Sequence, residues 1–116
     1  SDLRSFMILY VTQDLMLGSR IKSHAQDAGT EVSLSLKLPE AAQLAPETEK
    51  CLIDLECCKG KLAAWVTGLG ERRARLELIG YAPHVQESTL MEAKEVGLDQ
   101  VLTRGQFNHQ ILELLA

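Results

Sequence analysis

From end to end the chain alternates between short apolar runs and helix-patterned stretches, and this alternation limits its folds more than any other feature. Residues 5–12 (Ser-Phe-Met-Ile-Leu-Tyr-Val-Thr) form a continuous run of β-formers, as a strand buried on both faces requires. Asp14 then offers a helix N-cap, Leu17, Ile21, Ala25 and Ala28 recur at helical spacing, and Gly29 supplies a stop. Residues 30–37 set Val32, Leu34 and Leu36 against Glu31, Ser33 and Ser35, the period of a half-buried strand near an edge. Pro39 opens a short helix to Leu44, which Pro46 closes. Residues 51–55 are the third strand. Residues 62–76 read as helix, although Gly68 and Gly70 each weaken it by ~1 kcal/mol relative to Ala. Residues 77–82 are the fourth strand, stopped by Pro83. Ser88 caps a helix over 88–96 that Gly97 ends. Residues 100–103 are a short fifth strand, and Asn108 caps a last helix with Ile111, Leu112 and Leu115 on one face.

Strand and helix thus alternate five times, which implies a parallel sheet with helices on both faces and right-handed crossovers. The length of 116 residues is that of one domain over residues 1–116. The expected class is α/β, a flavodoxin-like (βα)5 three-layer sandwich with a parallel sheet of order 2-1-3-4-5. The switch point of that order lies between the first and third strands. It brings the loop after Thr12 beside Asp54, the acid that ends the run Lys50-Cys51-Leu52-Ile53-Asp54.

Composition removes several function classes. A net charge of −4 without a Lys/Arg stripe argues against nucleic-acid binding by this domain. Arg72-Arg73-Ala74-Arg75 reads as a solvated helix end, its cations facing the C-terminal dipole. No apolar run approaches the roughly 20 residues that span a bilayer, so no membrane role is expected. Residues 1–5 lead straight into a strand-like run without a signal peptide, and Ser1 suggests a trimmed start. Cys51, Cys57 and Cys58 are an odd, irregularly spaced set; they point to free thiols in a reducing, cytoplasmic setting rather than to a metal site. His24, His84 and His109 are scattered surface or turn residues, Trp65 is a packing residue, and Met7, Met16 and Met91 are core fillers. Gly18 and Gly29 make no G-x-G-x-x-G fingerprint. Thr12-Gln13-Asp14 is too short to cradle a flavin phosphate, and Asp14 would repel it.

The strand ends carry the remaining signal. Thr12, Gln13 and Asp14 follow the first strand, and Asp54 and Glu56 stand at the end of the third. Tyr81 and Ala82 end the fourth, and Arg104-Gly105 follow the fifth. This layout resembles the receiver domain of two-component response regulators over nearly the whole chain. The resemblance implies an apolar first strand ending in two acids, a phospho-accepting Asp after the third strand, Thr or Ser after the fourth, and Lys-Pro after the fifth. The acids hold magnesium, and the hydroxyl and the Lys contact the phosphoryl oxygens. Asp54 matches the phosphoacceptor position, and Gly97-Leu98-Asp99-Gln100-Val101-Leu102 looks like the receiver segment leading into the fifth strand. Elsewhere the chain departs: Thr12 and Gln13 fall where the acids belong, with Asp14 one residue late. Tyr81 replaces Thr/Ser, Arg104-Gly105 replaces Lys-Pro, and Cys58 takes the place of a usual Pro.

A degenerate receiver, or pseudo-receiver, is therefore expected: no enzyme, no cofactor, and no metal beyond the weak candidates Asp14, Asp54 and Glu56. Two dispersed carboxylates suit magnesium poorly. Arg104 either pairs with Asp54 in place of the metal or stays solvated while Asp54 caps the following loop. Such a module would act on a protein partner or a second copy. The resemblance implies the face of the fourth helix, fifth strand and fifth helix, with Leu90, Lys94, Val101, Gln106, Phe107 and Gln110; Phe107 is either an anchor or a core residue. A second reading keeps an active receiver phosphorylated on Asp54 by a histidine kinase. There Asp14 and Glu56 rebuild a Mg2+ site and Arg104 contacts the phosphoryl group. A third is a small enzyme using Asp54, Glu56, Cys57 and Cys58.

Overall fold

The computed structural model describes residues 7–115; the expected start of the first strand at residues 5 and 6 lies outside them. Five strands form one sheet: β1 (Met7–Val11), β2 (Glu31–Ser35), β3 (Thr48–Asp54), β4 (Glu77–Ala82) and β5 (Gln100–Thr103). All neighbouring pairs are parallel, in the order β2-β1-β3-β4-β5. The expected topology is thus observed, with β2 at an edge.

Four α-helices lie among the described residues: α1 (Leu15–Asp27), α2 (Leu62–Gly68), α3 (Glu87–Val96) and α4 (Arg104–Leu114). Strand alternation divides the core between the two sheet faces. Ile8, Tyr10, Val32, Leu52, Ile79, Tyr81 and Leu102 meet Ile21 and Ala25 of α1 and Phe107 and Leu114 of α4. On the other face Leu9, Val11, Cys51, Ile53 and Leu78 meet Leu62, Leu69, Ala93 and Leu98. Gly80 sits where the second face is tightest: a Cβ there would lie 2.8 Å from side-chain carbons of both Leu55 and Leu98.

The helix expected at residues 39–44 is only a 3-10 turn, Ala41–Gln43. Pro39 and Pro46 bracket too little chain for a stable helix, which needs several turns to offset nucleation. β2 also offers little to pack against: Val32 and Leu34 face α1, leaving Ser33 and Ser35 for the opposite side. The fourth and fifth helices of the expected pattern are therefore α3 and α4.

The helix expected over 62–76 breaks into α2 and a 3-10 segment, Gly70–Arg75, at Gly70 with its positive φ of 56°. The basic cluster there is not a solvated helix end. Arg72 donates to the carbonyls of Ala41 (3.1 Å), Leu44 (2.6 Å) and Ala45 (2.8 Å), so one guanidinium closes the segment that lost its helix. Arg73 bridges Asp99 at 3.2 Å and donates to the carbonyls of Leu76 and Gly97. Trp65 adds a bond from its indole N–H to the Pro39 carbonyl, 2.6 Å.

Two caps lie elsewhere than expected. Ser88 falls inside α3, whose N-cap is Gln86. Asn108 falls inside α4, which starts directly at the end of β5: Thr103 and Gln106 form a reciprocal capping box. Asp14 and Gly97 cap α1 and α3 as expected, with Gly97 left-handed at φ 93°. Met16 (86 % exposed) and Met91 (59 %) are not core fillers, and Leu112 is exposed rather than on the buried face of α4.

Candidate functional site

The carboxyl ends of β1, β3 and β4 meet at the switch point, where Val11 pairs with Ile53 and Asp54 with Tyr81. Thr12 follows β1, is buried, and donates from Oγ1 to Asp54 Oδ2 at 3.2 Å. The same hydroxyl accepts the backbone N–H of Asp14 at 3.1 Å. The other oxygen of Asp54, Oδ1, accepts the Glu56 N–H at 3.1 Å and so caps the 3-10 turn Leu55–Cys58. Both oxygens of the half-buried acid are thus engaged within the protein.

Asp14 is occupied as well. Its Oδ1 accepts the Leu17 N–H at 3.0 Å, the N-cap of α1, and its Oδ2 lies 3.5 Å from an Arg104 guanidinium nitrogen. Arg104 therefore reaches Asp14 and not Asp54, and it is half exposed. The expected Arg104–Asp54 pair is not formed: Asp54 caps the following turn, as the alternative had it, but Arg104 pairs with Asp14 rather than staying solvated. The reason is placement: Arg104 opens α4 directly after Thr103, on the side of the sheet that faces the start of α1. Gln13 is exposed and spends its side-chain amide on the Leu36 carbonyl, 3.4 Å. Glu56 is exposed.

Burial raises the Asp54 carboxyl above its ordinary 3.8, and the nearby Glu56 charge adds to this. The Glu56 N–H, the Thr12 hydroxyl and the more remote Arg104 oppose it. Among the described residues no three His, Cys, Asp or Glu side chains gather as a cation site. Magnesium requires near-octahedral oxygen ligation with carboxylate help. With Thr12 and Gln13 neutral and both oxygens of Asp14 and of Asp54 already facing donors, the donor set does not fit it.

Tyr81 and its neighbours were the least legible part of the site. Its hydroxyl meets that of Tyr10 at 2.6 Å, and its ring stacks on Phe107 with centroids 3.9 Å apart and planes at 15°. Burial pushes the Tyr10 phenol up to about 12 and that of Tyr81 higher still. Phe107 is fully buried and belongs to the core rather than to a docking face. Tyr10 could have been found by strand period: it lies in phase with Ile8 on the face that Tyr81 shares. Ala82 is buried at the end of β4.

Cys57 is half-buried near Asp54 and Cys58 is buried; all three cysteines are free. Burial raises both thiols, Cys58 to about 12, and Asp54 raises them further. A nucleophilic cysteine is favoured by the opposite shift.

No protein-family model and no curated protein matches the chain. Solved structures do. The receiver domain of the TMAO respiratory response regulator TorR superposes with a TM-score of 0.73 at 19% identity, over 95% of this chain and 96% of that one. The non-phosphorylated HemR receiver domain from Leptospira biflexa gives 0.71 at 15%, over 96% and 94%. A two-component response regulator from Clostridium difficile gives 0.70 at 13%, over 95% of each. At such identities the likeness shows the fold, and this chain has the receiver-domain fold.

Proposed function

We propose that the chain is a single signalling module of receiver fold that does not run metal-dependent aspartyl phosphorylation and acts by protein–protein contact. The observation that carries this reading is how the acids are used. Phosphoryl transfer to a carboxylate needs a cation to offset the anionic donor and orient its oxygens. Here Asp14 caps α1 and faces Arg104, and Asp54 accepts from Thr12 and Glu56. Tyr81, one residue before the end of β4, is a buried, hydrogen-bonded tyrosine in place of a small hydroxyl that could follow a phosphoryl group.

The competing reading is an atypical receiver phosphorylated on Asp54 by a histidine kinase. It draws on the half-exposed place of Asp54 at the end of β3 and the exposed carboxylate of Glu56. Contact through the α3–β5–α4 face remains part of the proposal, although that face is leaner than its sequence suggested. Lys94 and Gln106 are exposed, whereas Leu90 and Val101 pack against the core. Incubation with acetyl phosphate and magnesium, read by intact mass, separates the two readings. The unmodified mass is expected; an adduct that disappears in Asp54→Asn would establish the active receiver.

A further inference from the structure

β2 ends the sheet, and among the described residues no strand pairs with its outer side. Ser35 gives its carbonyl to the Thr12 N–H at 2.9 Å. Backbone groups of Ser33 and Ser35 therefore point at β1, and by strand alternation those of Val32 and Leu34 point out of the sheet. Neither a proline nor a bulge interrupts this edge, whose residues pair with β1 in unbroken register.

The edge is complementary to itself. In Glu31-Val32-Ser33-Leu34-Ser35-Leu36-Lys37, an antiparallel copy centred on Leu34 sets Val32 against Leu36 and Ser33 against Ser35. Apolar meets apolar on the α1 side, and serine meets serine on the other. Leu34 falls on the two-fold axis, where two copies can exchange both outward backbone bonds. Glu31 and Lys37, both exposed, then oppose each other at either end. A parallel copy in register would instead set Glu31 against Glu31 and Lys37 against Lys37. Pairing β2 with β5 of another copy would leave edges open and propagate, whereas the two-fold pairing closes.

Helix α1 fits this arrangement. A Cβ on Gly18 would lie 3.4 Å from Leu34 and 3.5 Å from Thr12 side-chain carbons, so α1 runs above the gap between β2 and β1. Two-fold pairing then puts the two α1 helices two strand spacings apart, roughly 9–10 Å, the distance at which helices pack. The flank of α1 toward the edge carries Leu15, 62 % exposed, beside Leu36, 56 % exposed. With Gly18 and Leu34 they bound a concavity of about 240 Å3, and pairing covers these apolar groups.

We infer that the β2 edge is the interface of a symmetric homodimer that joins two sheets into one. The inference rests on the reading of the chain as a module acting by protein–protein contact and names a second copy as the partner on this edge. The α3–β5–α4 face, at the far side of the sheet, stays open. Sedimentation velocity over a concentration series, with amide hydrogen exchange by NMR, tests it. A reversible dimer is expected, with the Leu34 amide exchanging more slowly as concentration rises. Glu31→Lys and Lys37→Glu, each checked for unchanged fold by circular dichroism, each create two like-charge pairs and are expected to weaken the dimer at least about tenfold. The double variant is expected to restore it, and the two single variants to form a heterodimer when mixed. A monomer at millimolar protein, a dimer indifferent to either reversal, a dimer that the double variant fails to restore, or Leu34 exchange independent of concentration would overturn the inference. None of these outcomes alters the mass read after acetyl phosphate, so the two readings fail separately.

Discussion

At the scale of single residues, Asp54 is held between burial, which disfavours its charge, and the donors Glu56 N–H and Thr12 hydroxyl, which favour it. Where two acids would repel each other until a cation joined them, this chain places a hydroxyl that donates to one carboxylate oxygen. Desolvation still outweighs that help, so the folded state holds a proton on Asp54 more tightly than the unfolded chain does. As pH rises from 3.8 through the raised folded value, the unfolded state loses its proton first and native stability falls. Above that window the loss is complete. Asp54→Asn keeps an acceptor for the Glu56 N–H and can donate to Thr12 without the buried charge. In chemical denaturation over a pH series the variant is expected to exceed the parent at pH 7, and the difference to close below pH 3.8. A variant less stable at every pH would show that the carboxylate's hydrogen bonds dominate. The tyrosine pair gives a second residue-scale expectation. Tyr81→Phe removes one of the two side-chain partners, Tyr81 and Thr12, of the buried Tyr10 hydroxyl and should cost about 1 kcal/mol in urea unfolding. Tyr10→Phe with Tyr81→Phe should cost less than the two single changes summed.

At the scale of elements, the connection between β2 and β3 shows how the fold tolerates a missing helix. β2 turns Ser33 and Ser35 toward the segment of residues 39–45, and Arg72, on the same face of the sheet, satisfies the carbonyls of Ala41, Leu44 and Ala45. Such work needs the planar, multi-donor guanidinium, so lysine is no substitute. Arg72→Lys is expected to destabilise by about 2–4 kcal/mol and to speed amide hydrogen exchange in residues 40–46 ahead of the rest. Uniform loss of protection across the chain would contradict a local role. The helix starts carry a similar lesson. Thr103-Arg104-Gly105-Gln106 is a capping-box sequence, and it lets α4 follow β5 without a loop. Reading Asn108 as the cap overlooked it, because an isolated Asn is a weaker start signal than a reciprocal pair.

At the scale of the whole molecule, the sheet order and the position of Asp54 were legible in the chain, and the strand ends to within one or two residues. Buried parallel strands demand continuous apolar runs, and the acid closing residues 50–54 interrupts one visibly. The partners of the site were not legible. Whether Arg104 meets Asp14 or Asp54, and whether Tyr81 points to solvent or to Tyr10, depends on packing between elements far apart in sequence. Spacing along the chain does not encode that geometry. The same holds for α1 and α4: Met16 and Leu112 fit a helical core pattern, and only the packed structure turns them outward. One consistent picture results, of strand-end carboxylates tied into caps and side-chain bonds.

A magnesium titration followed by backbone amide NMR tests that picture most directly. The expected result is no saturable change at residues 12–14 and 54–57 up to several millimolar magnesium. Saturable shifts at those amides, lost in Asp54→Asn, would contradict it.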